Sequence, residues 1–138
     1  MRRVSVLLPL IVLLLLACGP ANVPVDEIFP PQTGEFSRTS GPFYDPETEV
    51  DLATYEGPSG SVILHSARVG PEEAAYAVTQ LPQAALNEGY DPGLGQREGV
   101  FFSYAGEFHA AWHNGDWVFV IFASSPEARV NFLSGYGY

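Results

Sequence analysis

The stretch FHAAWHNGDWVFVIF, Phe108–Phe122, decides the fold of this chain. Asn114-Gly115 stands near its middle, between two runs that are rich in apolar residues. An Asn-Gly pair in such a setting is the strongest short-range signal for a β-hairpin, because a type I′ turn needs positive φ angles at both central residues. The stretch therefore predicts two antiparallel strands joined by this turn.

The register of the hairpin predicts which side chains share a face of the sheet. We expect His113 to pair with Asp116 across the turn, and Trp112 to lie opposite Trp117. One face then carries an apolar series: Phe108, Ala110, Trp112, Trp117, Phe119 and Ile121. The second strand is apolar on its other face too, so both faces of this strand need a cover.

Two interpretations of the apolar faces remain open. In the first, the strand is central, with a helix over one face and a loop, the linker or strand curvature over the other. In the second, the aromatic face is a groove for a peptide, a lipid or a partner protein, and Trp112, Trp117 and Phe119 are its binding residues. An exposed aromatic patch favours binding, a closed core favours a scaffold, and a cleft that joins a histidine to a carboxylate favours an enzyme.

The rest of the chain repeats the pattern of this hairpin. The segments 60–72 and 115–127 each run from a glycine through a strand-like stretch to Pro-Glu, at an offset of about 55 residues. Proline in the first turn with a glutamate beside it is a helix start signal. We expect helices over Pro71–Leu81, where Pro82 interrupts the pattern, and over Pro126–Ser134, with Ser125 as the N-cap.

These patterns predict the fold class. We expect an α+β domain over residues 34–138, with a mainly antiparallel sheet of about six strands and two helices on one face. A tandem βββα arrangement would divide it into halves at 34–89 and 96–138.

The N-terminal residues indicate export. Arg2-Arg3 precede an apolar segment, Val4–Leu16, which closes on Leu15-Leu16-Ala17-Cys18. This arrangement resembles the lipobox signal of bacterial lipoproteins. The resemblance implies that residues 1–17 are a cleaved signal peptide and that Cys18 is lipidated and becomes the mature N-terminus.

The apolar segment is too short to be a membrane span. A helix from Val4 to Ala17 reaches about 21 Å, against a hydrocarbon core of about 30 Å. Residues 18–33 contain Pro20, Pro24, Pro30 and Pro31 and are expected to form an extended tether, in which Gly19–Gln32 reaches about 40 Å if it adopts a polyproline helix.

Composition excludes several partners and reactions. Without residues 1–17, four arginines face sixteen acidic residues, a formal charge near −12, and the chain contains no lysine. Such a surface repels nucleic acid, and Schiff-base chemistry has no lysine to use. Cys18 is the only cysteine, so neither an internal disulfide nor a catalytic thiol is expected in the mature chain.

Candidate chemical sites are weak. His109 and His113 lie about 13 Å apart on a strand, too far for a shared metal, and we expect His113 to pair with Asp116 instead. His65 is expected to be a structural histidine of its strand. An acidic alternation resembles a calcium loop but lacks its glycine, and is expected to be a solvated loop or edge strand: Asp45, Glu47, Glu49 and Asp51. The chain also lacks a Gly-x-Ser-x-Gly motif.

The sequence predicts no catalytic residue, no metal site and no cofactor. We expect an exported lipoprotein, anchored to the cell membrane or outer membrane and facing the periplasm or the exterior, with a non-catalytic accessory or binding role. Its partners are the membrane, through the lipid, and an envelope protein or a small apolar ligand. A carrier for a ligand, lipid or peptide that uses the aromatic sheet face is the alternative, and an envelope hydrolase is the third hypothesis.

Overall fold

Strands β4 (Gly60–Arg68) and β8 (Trp117–Ala123) pair at the centre of the fold, with Val62 opposite Ala123. The computed structural model describes residues 23–80, 86–89 and 91–138. Along these residues the remaining elements are α1 (Val25–Ile28), β1 (Gln32–Thr33), β2 (Phe36–Asp45), β3 (Val50–Gly57), α2 (Pro71–Gln80), β5 (Leu86–Gly89), a 3₁₀ turn (Pro92–Leu94), β6 (Glu98–Tyr104), β7 (Glu107–Asn114) and α3 (Pro126–Gly135).

The described strands form one sheet in the order β1-β2-β3-β4-β8-β7-β6-β5, and every neighbouring pair is antiparallel. The predicted α+β class and antiparallel sheet are confirmed. The sheet has eight strands rather than about six, because the edges add the two-residue β1 and the short β5, which the sequence pattern did not mark. The order β2-β3-β4 is mirrored by β8-β7-β6.

The helices lie on opposite faces, which corrects the expectation of two helices on one face. Helix α3 packs on the face that carries Tyr55, Trp112 and Phe119. Helix α2 packs against β7 and β8 over the other face, where Ala111 is fully buried. The physical reason is the double-sided apolar character of β8, since each face needs its own cover.

The predicted hairpin is present, but its register is shifted by two residues. Asn114 pairs with Trp117, and Trp112 lies opposite Phe119 rather than Trp117. Only Gly115 of the two turn residues has a positive φ, as a type II′ turn with glycine first requires. A shift of two leaves each side chain on its predicted face, because side chains alternate with a period of two.

The main core lies between α3 and the sheet. Phe132 contacts Phe36 and Tyr55 edge-on, at ring-centroid distances of 5.5 and 5.2 Å. The hydroxyl of Ser125 accepts the main-chain N–H of Ala128, which confirms the predicted N-cap.

Helix α2 begins at Pro71 as predicted and ends at Gln80, while Leu81 and Pro82 lie outside the described residues. Ala74 and Val78 are its buried side chains. Ala75 is half-buried.

The segment from Val23 to Thr33 packs against the folded domain. For this part of residues 18–33, the expectation of an extended tether was wrong. Ile28 and Phe29 are fully buried, and Val23 packs against the same core. Main-chain oxygens of Phe29 and Pro30 accept hydrogen bonds from Arg38 and Tyr55. Apolar side chains next to the prolines explain the difference, because their burial outweighs the preference of proline for an extended, solvated chain.

Candidate functional site

An open cleft of about 860 Å³ lies between the start of β6, the turn between β7 and β8, and the end of α3. We call it the C-terminal cleft. Its lining residues are Pro92, Gly93, Gly95, Gln96, Arg97, Glu98, Trp112, His113, Asn114, Gly115, Val130, Leu133, Ser134, Tyr136, Gly137 and Tyr138. A volume of this size accommodates a small molecule or a short peptide segment.

Arg97 holds the C-terminal side of the cleft together. Its guanidinium donates to the main-chain oxygens of Leu133 at 2.9 Å and of Tyr138 at 2.7 Å, and also to that of Tyr136. It lies 5.4 Å from the ring centroid of Trp112. Burial lowers the pKa of Arg97. The guanidinium group therefore provides hydrogen-bond donors for main-chain oxygens at the end of α3, where carbonyl groups lack partners within the helix.

Trp112 is the aromatic residue of the sheet that borders the cleft. Its ring stacks on Phe119 at 5.2 Å and meets Tyr136 edge-on at 6.0 Å. The three predicted binding residues are buried in the core, with Trp112 and Phe119 at 0% and Trp117 at 3% exposure. They do not form an open aromatic groove on the sheet, and of the three the cleft reaches Trp112.

Glu98 and His113 contact each other at the cleft. They are register partners on β6 and β7, and Nε2 of His113 lies 3.3 Å from Oε2 of Glu98. This corrects the expected pair of His113 with Asp116, since the two-residue register shift removes Asp116 from its position opposite His113. Asp116 instead contacts Arg68 at 3.4 Å.

Two further histidines lie beside Phe122, on the other face of the sheet. The ring centroid of Phe122 lies 4.6 Å from that of His65 and 4.5 Å from that of His109. His109 is 1% exposed, and neither of its ring nitrogens makes a well-formed hydrogen bond with a described residue. Burial lowers the pKa of both imidazoles. The histidine predicted to be structural, His65, is packed in the sheet.

The other predicted candidates do not assemble into a site. The acidic alternation begins in the turn between β2 and β3, where Asp45 accepts from Thr48 and from the main-chain N–H of Glu47, and these bonds lower the pKa of Asp45. Within residues 23–80, 86–89 and 91–138, no group of three or more metal-ligating side chains comes together. Cys18 lies outside the described residues, within which no helix has the length and apolar character of a membrane span.

The sequence interpretation missed Arg97 and Glu98 as cleft residues. One signal was available. Residues 23–138 contain four arginines, and three of them, Arg38, Arg97 and Arg129, donate to main-chain oxygens. A scarce cation in an acidic chain marks a place where a buried carbonyl needs a donor.

Comparisons with known proteins identify a solved structure with a similar fold, but no family for this chain. No protein-family model matches the chain, and no curated protein does. A solved structure described as a GTP binding regulator from Thermotoga maritima is similar, with a TM-score of 0.57 and 18% identity over 81% of this chain and 85% of that one. At this identity the likeness concerns the fold alone.

Proposed function

We propose that this chain is a lipid-anchored protein of the cell envelope, whose domain binds an envelope protein or a small apolar ligand without converting it. The observation that carries the proposal is the sequence Leu15-Leu16-Ala17-Cys18, with Cys18 as the expected lipidation site, five residues ahead of Val23, which packs against the core. A globular domain that directly follows a lipobox is the arrangement of a protein held at a membrane surface.

The C-terminal cleft supports the binding role. It is open to solvent, the half-buried ring of Tyr138 is among its lining residues, and hydrogen bonds from Arg97 hold its rim in place. A partly apolar cleft with a few fixed polar groups is the usual form of a ligand site. The aromatic sheet face, which the carrier alternative would use, is closed by α3, so a carrier would also have to use this cleft.

The anchor is tested by fractionation of cells that express Cys18→Ser. We expect the variant to leave the membrane fraction, while Asn22→Ala, which leaves Leu15-Leu16-Ala17-Cys18 intact, stays there. Membrane retention of Cys18→Ser would contradict the anchor.

The cleft is tested by photocrosslinking in intact cells. A photoreactive residue replaces exposed Gln96 at the cleft, and the control position is exposed Glu56 on β3. We expect a product at Gln96 that is absent at Glu56 and is lost when Gly137→Phe fills the cleft. The Cβ of residue 137 would have no atom within 4 Å, so the larger side chain has room to enter. A product that persists in Gly137→Phe would contradict binding in the cleft.

The name of the structural neighbour does not suggest a ligand for this cleft. A nucleoside triphosphate needs cationic groups or amide cradles for its phosphates. Arg97 is the arginine among the lining residues, and its guanidinium is committed to main-chain oxygens, with Glu98 beside it. We therefore favour an uncharged ligand or a protein segment.

The contact between Glu98 and His113 favours hydrolysis as a second candidate function. A carboxylate that orients an imidazole at a cleft is a common arrangement for a general base. The hydrolase hypothesis predicts turnover of ester, amide or glycoside substrates that His113→Gln abolishes. Binding alone predicts that His113→Gln keeps the crosslinked product and that no substrate is turned over.

A further inference from the structure

The turn between β7 and β8 places an asparagine before a glycine at the C-terminal cleft. Asn114 is the last residue of β7 and pairs with Trp117, so the two turn residues are Gly115 and Asp116. Asn114 is half-buried and Gly115 is exposed, and both line the cleft. Solvent therefore reaches this pair of residues.

The side-chain amide of Asn114 and the nitrogen of Gly115 are not held by hydrogen bonds. Within the part of the chain that the structure describes, neither the amide nor the main-chain N–H of Gly115 has a hydrogen-bond partner. The other side of the turn is fixed, because the main-chain oxygen of Asp116 accepts from the N–H groups of Val69 at 2.8 Å and Gly70 at 3.1 Å. The amide can therefore approach the nitrogen without breaking a bond that holds the turn.

Glycine at position 115 leaves its main-chain nitrogen uncrowded. The residue has no Cβ atom beside this nitrogen. Attack of the nitrogen on Cγ of Asn114 closes a small cyclic imide, a succinimide. Because the two groups are neighbours in one chain, the closure replaces a bimolecular encounter and needs no enzyme.

We propose that Asn114 is a modification site, at which the side-chain amide is lost through a succinimide and a new carboxylate appears in the C-terminal cleft. The nitrogen of Gly115 gives its proton to a base in solution and forms a bond to Cγ of Asn114. The bond between Cγ and Nδ2 breaks, and the leaving nitrogen takes up a proton and departs as ammonia. Water then opens the imide. Opening at Cγ gives aspartate, and opening at the main-chain carbonyl carbon gives isoaspartate.

Asn131 is the internal control for this reaction. Its side chain donates to Oε1 of Glu35 at 2.9 Å, and the next residue, Phe132, is fully buried in α3. Inside a helix the N–H of a residue is bonded to the carbonyl four residues earlier, so the nitrogen of Phe132 is not available for attack. We expect the amide of Asn131 to be retained.

The experiment follows the full protein in its folded state during incubation at neutral pH. Peptide mapping by mass spectrometry measures the amide at positions 114 and 131, and an isoaspartyl methyltransferase labels isoaspartate. We expect progressive loss of the amide at position 114, methyl-accepting isoaspartate there, and an intact Asn131. If the folded protein keeps the amide of Asn114 over a period in which the urea-unfolded protein loses it, the turn protects the pair and the proposal is overturned.

The imide route is tested by a variant and by pH. Asn114→Gln would have to close a larger ring, and it should show no labelling at position 114. In the unmodified protein the rate of amide loss should rise by about tenfold from pH 7 to pH 8, because the deprotonated fraction of a group that titrates far above this range rises in that proportion. A rate that is independent of pH, or the same labelling in Asn114→Gln, would overturn the route.

The new carboxylate changes the charge of the cleft. Arg97 and Glu98 are the charged side chains among its lining residues, and their charges cancel. The guanidinium of Arg97 is committed to main-chain oxygens. A ligand that covers the cleft would therefore bury the added carboxylate at a cost in free energy. We expect loss of the amide to weaken binding, a consequence that rests on the proposed binding role of the cleft.

The photoreactive residue at position 96 measures this consequence. Asn114→Asp carries the carboxylate from the start, and Asn114→Gln is its uncharged control. We expect less crosslinked product in Asn114→Asp than in Asn114→Gln, and equal yields would overturn the effect on binding. If the unmodified protein gives no product either, the binding role of the cleft fails, whereas the loss of the amide at Asn114 is measured independently of it.

Discussion

The hydroxyl of Tyr136 donates a hydrogen bond of 2.7 Å to the main-chain oxygen of Ile28, 108 residues away in the sequence. Both groups are buried. Burial also raises the pKa of Tyr136, so its hydroxyl keeps the proton that it donates. A similar bond joins Tyr55, with a pKa raised to about 12, to Pro30. Two tyrosines thus attach the N-terminal segment to the core.

Tyr136→Phe should destabilise the domain. The substitution keeps the ring stacked in the core but leaves a buried carbonyl without its donor, a loss of about 1 to 3 kcal/mol in the free energy of unfolding. Urea unfolding measures it. Tyr44→Phe is the matched control, because Tyr44 is 61% exposed, and it should have no effect. Equal stability of Tyr136→Phe and the unmodified protein would show that the bond contributes nothing.

Arg97→Lys should weaken the C-terminal cleft. Lysine keeps the charge but cannot reach Leu133 and Tyr138 with the planar fork that arginine presents. We expect a loss of about 2 to 4 kcal/mol, since hydrogen bonds to charged groups contribute about 1.5 to 3 kcal/mol each and are not additive. Arg68→Lys, whose contact with Asp116 is exposed, should change stability by less than about 0.5 kcal/mol. A similar small effect in both variants would contradict the structural role of Arg97.

Gly99→Ala should be poorly tolerated. Gly99 lies opposite Trp112, and a Cβ atom there would come within 2.1 Å of the main-chain oxygen of Ala111 and 2.7 Å of the Trp112 Cβ. Overpacking of this kind costs about 1 to 3 kcal/mol. Gly137→Ala has no atom within 4 Å of its new Cβ and should be neutral. Thermal unfolding of the two variants tests the difference, and a stable Gly99→Ala would mean that β6 and β7 separate easily.

Acidification should destabilise the domain through His65 and His109. Both pKa values are lowered from 6.5 by burial, so the unfolded chain binds protons at a higher pH than the folded one. The stabilisation is therefore complete above pH 6.5 and is lost as the pH falls from there through the folded pKa values. The slope reaches at most about 1.4 kcal/mol per pH unit for each histidine.

His109→Phe is the variant that tests this pH dependence. The added phenyl ring keeps the contacts with Phe102 and Phe122 and removes the titrating group. Urea unfolding at pH 8 and pH 5 should show a smaller loss of stability in the variant than in the unmodified protein. The same loss in both proteins would assign the acid sensitivity to other groups.

Local patterns in the sequence predicted much of the fold. The hairpin between β7 and β8 and the Pro-Glu starts of α2 and α3 each report short-range physics, and each was found, although the turn centres on Gly115-Asp116 rather than on Asn114-Gly115. Faces were predicted correctly while the register was not, because the choice between two turn types at Gly115 moves the pairing by two residues and leaves the faces unchanged.

The candidate site was harder to predict because its parts are distant in sequence. Arg97 contacts Leu133 and Tyr138, so no local pattern links them. Val23–Thr33 has the prolines of a linker. Its place in the core depends on hydrogen bonds from Tyr55 and Tyr136, which are separated in sequence from their acceptors by 25 and 108 residues. The exposed or closed state of the aromatic face likewise depends on α3, whose position no motif in the strands specifies.

The pairing of β4 with β8 has a consequence for the order in which the chain folds. The central strand and the helix that closes the main core both come from residues 117–135, so Leu64 and Tyr55 have no cover until these residues are available. Contacts of such long sequence separation form slowly. A nascent chain of this design completes its main core only after β8 and α3 have been synthesised.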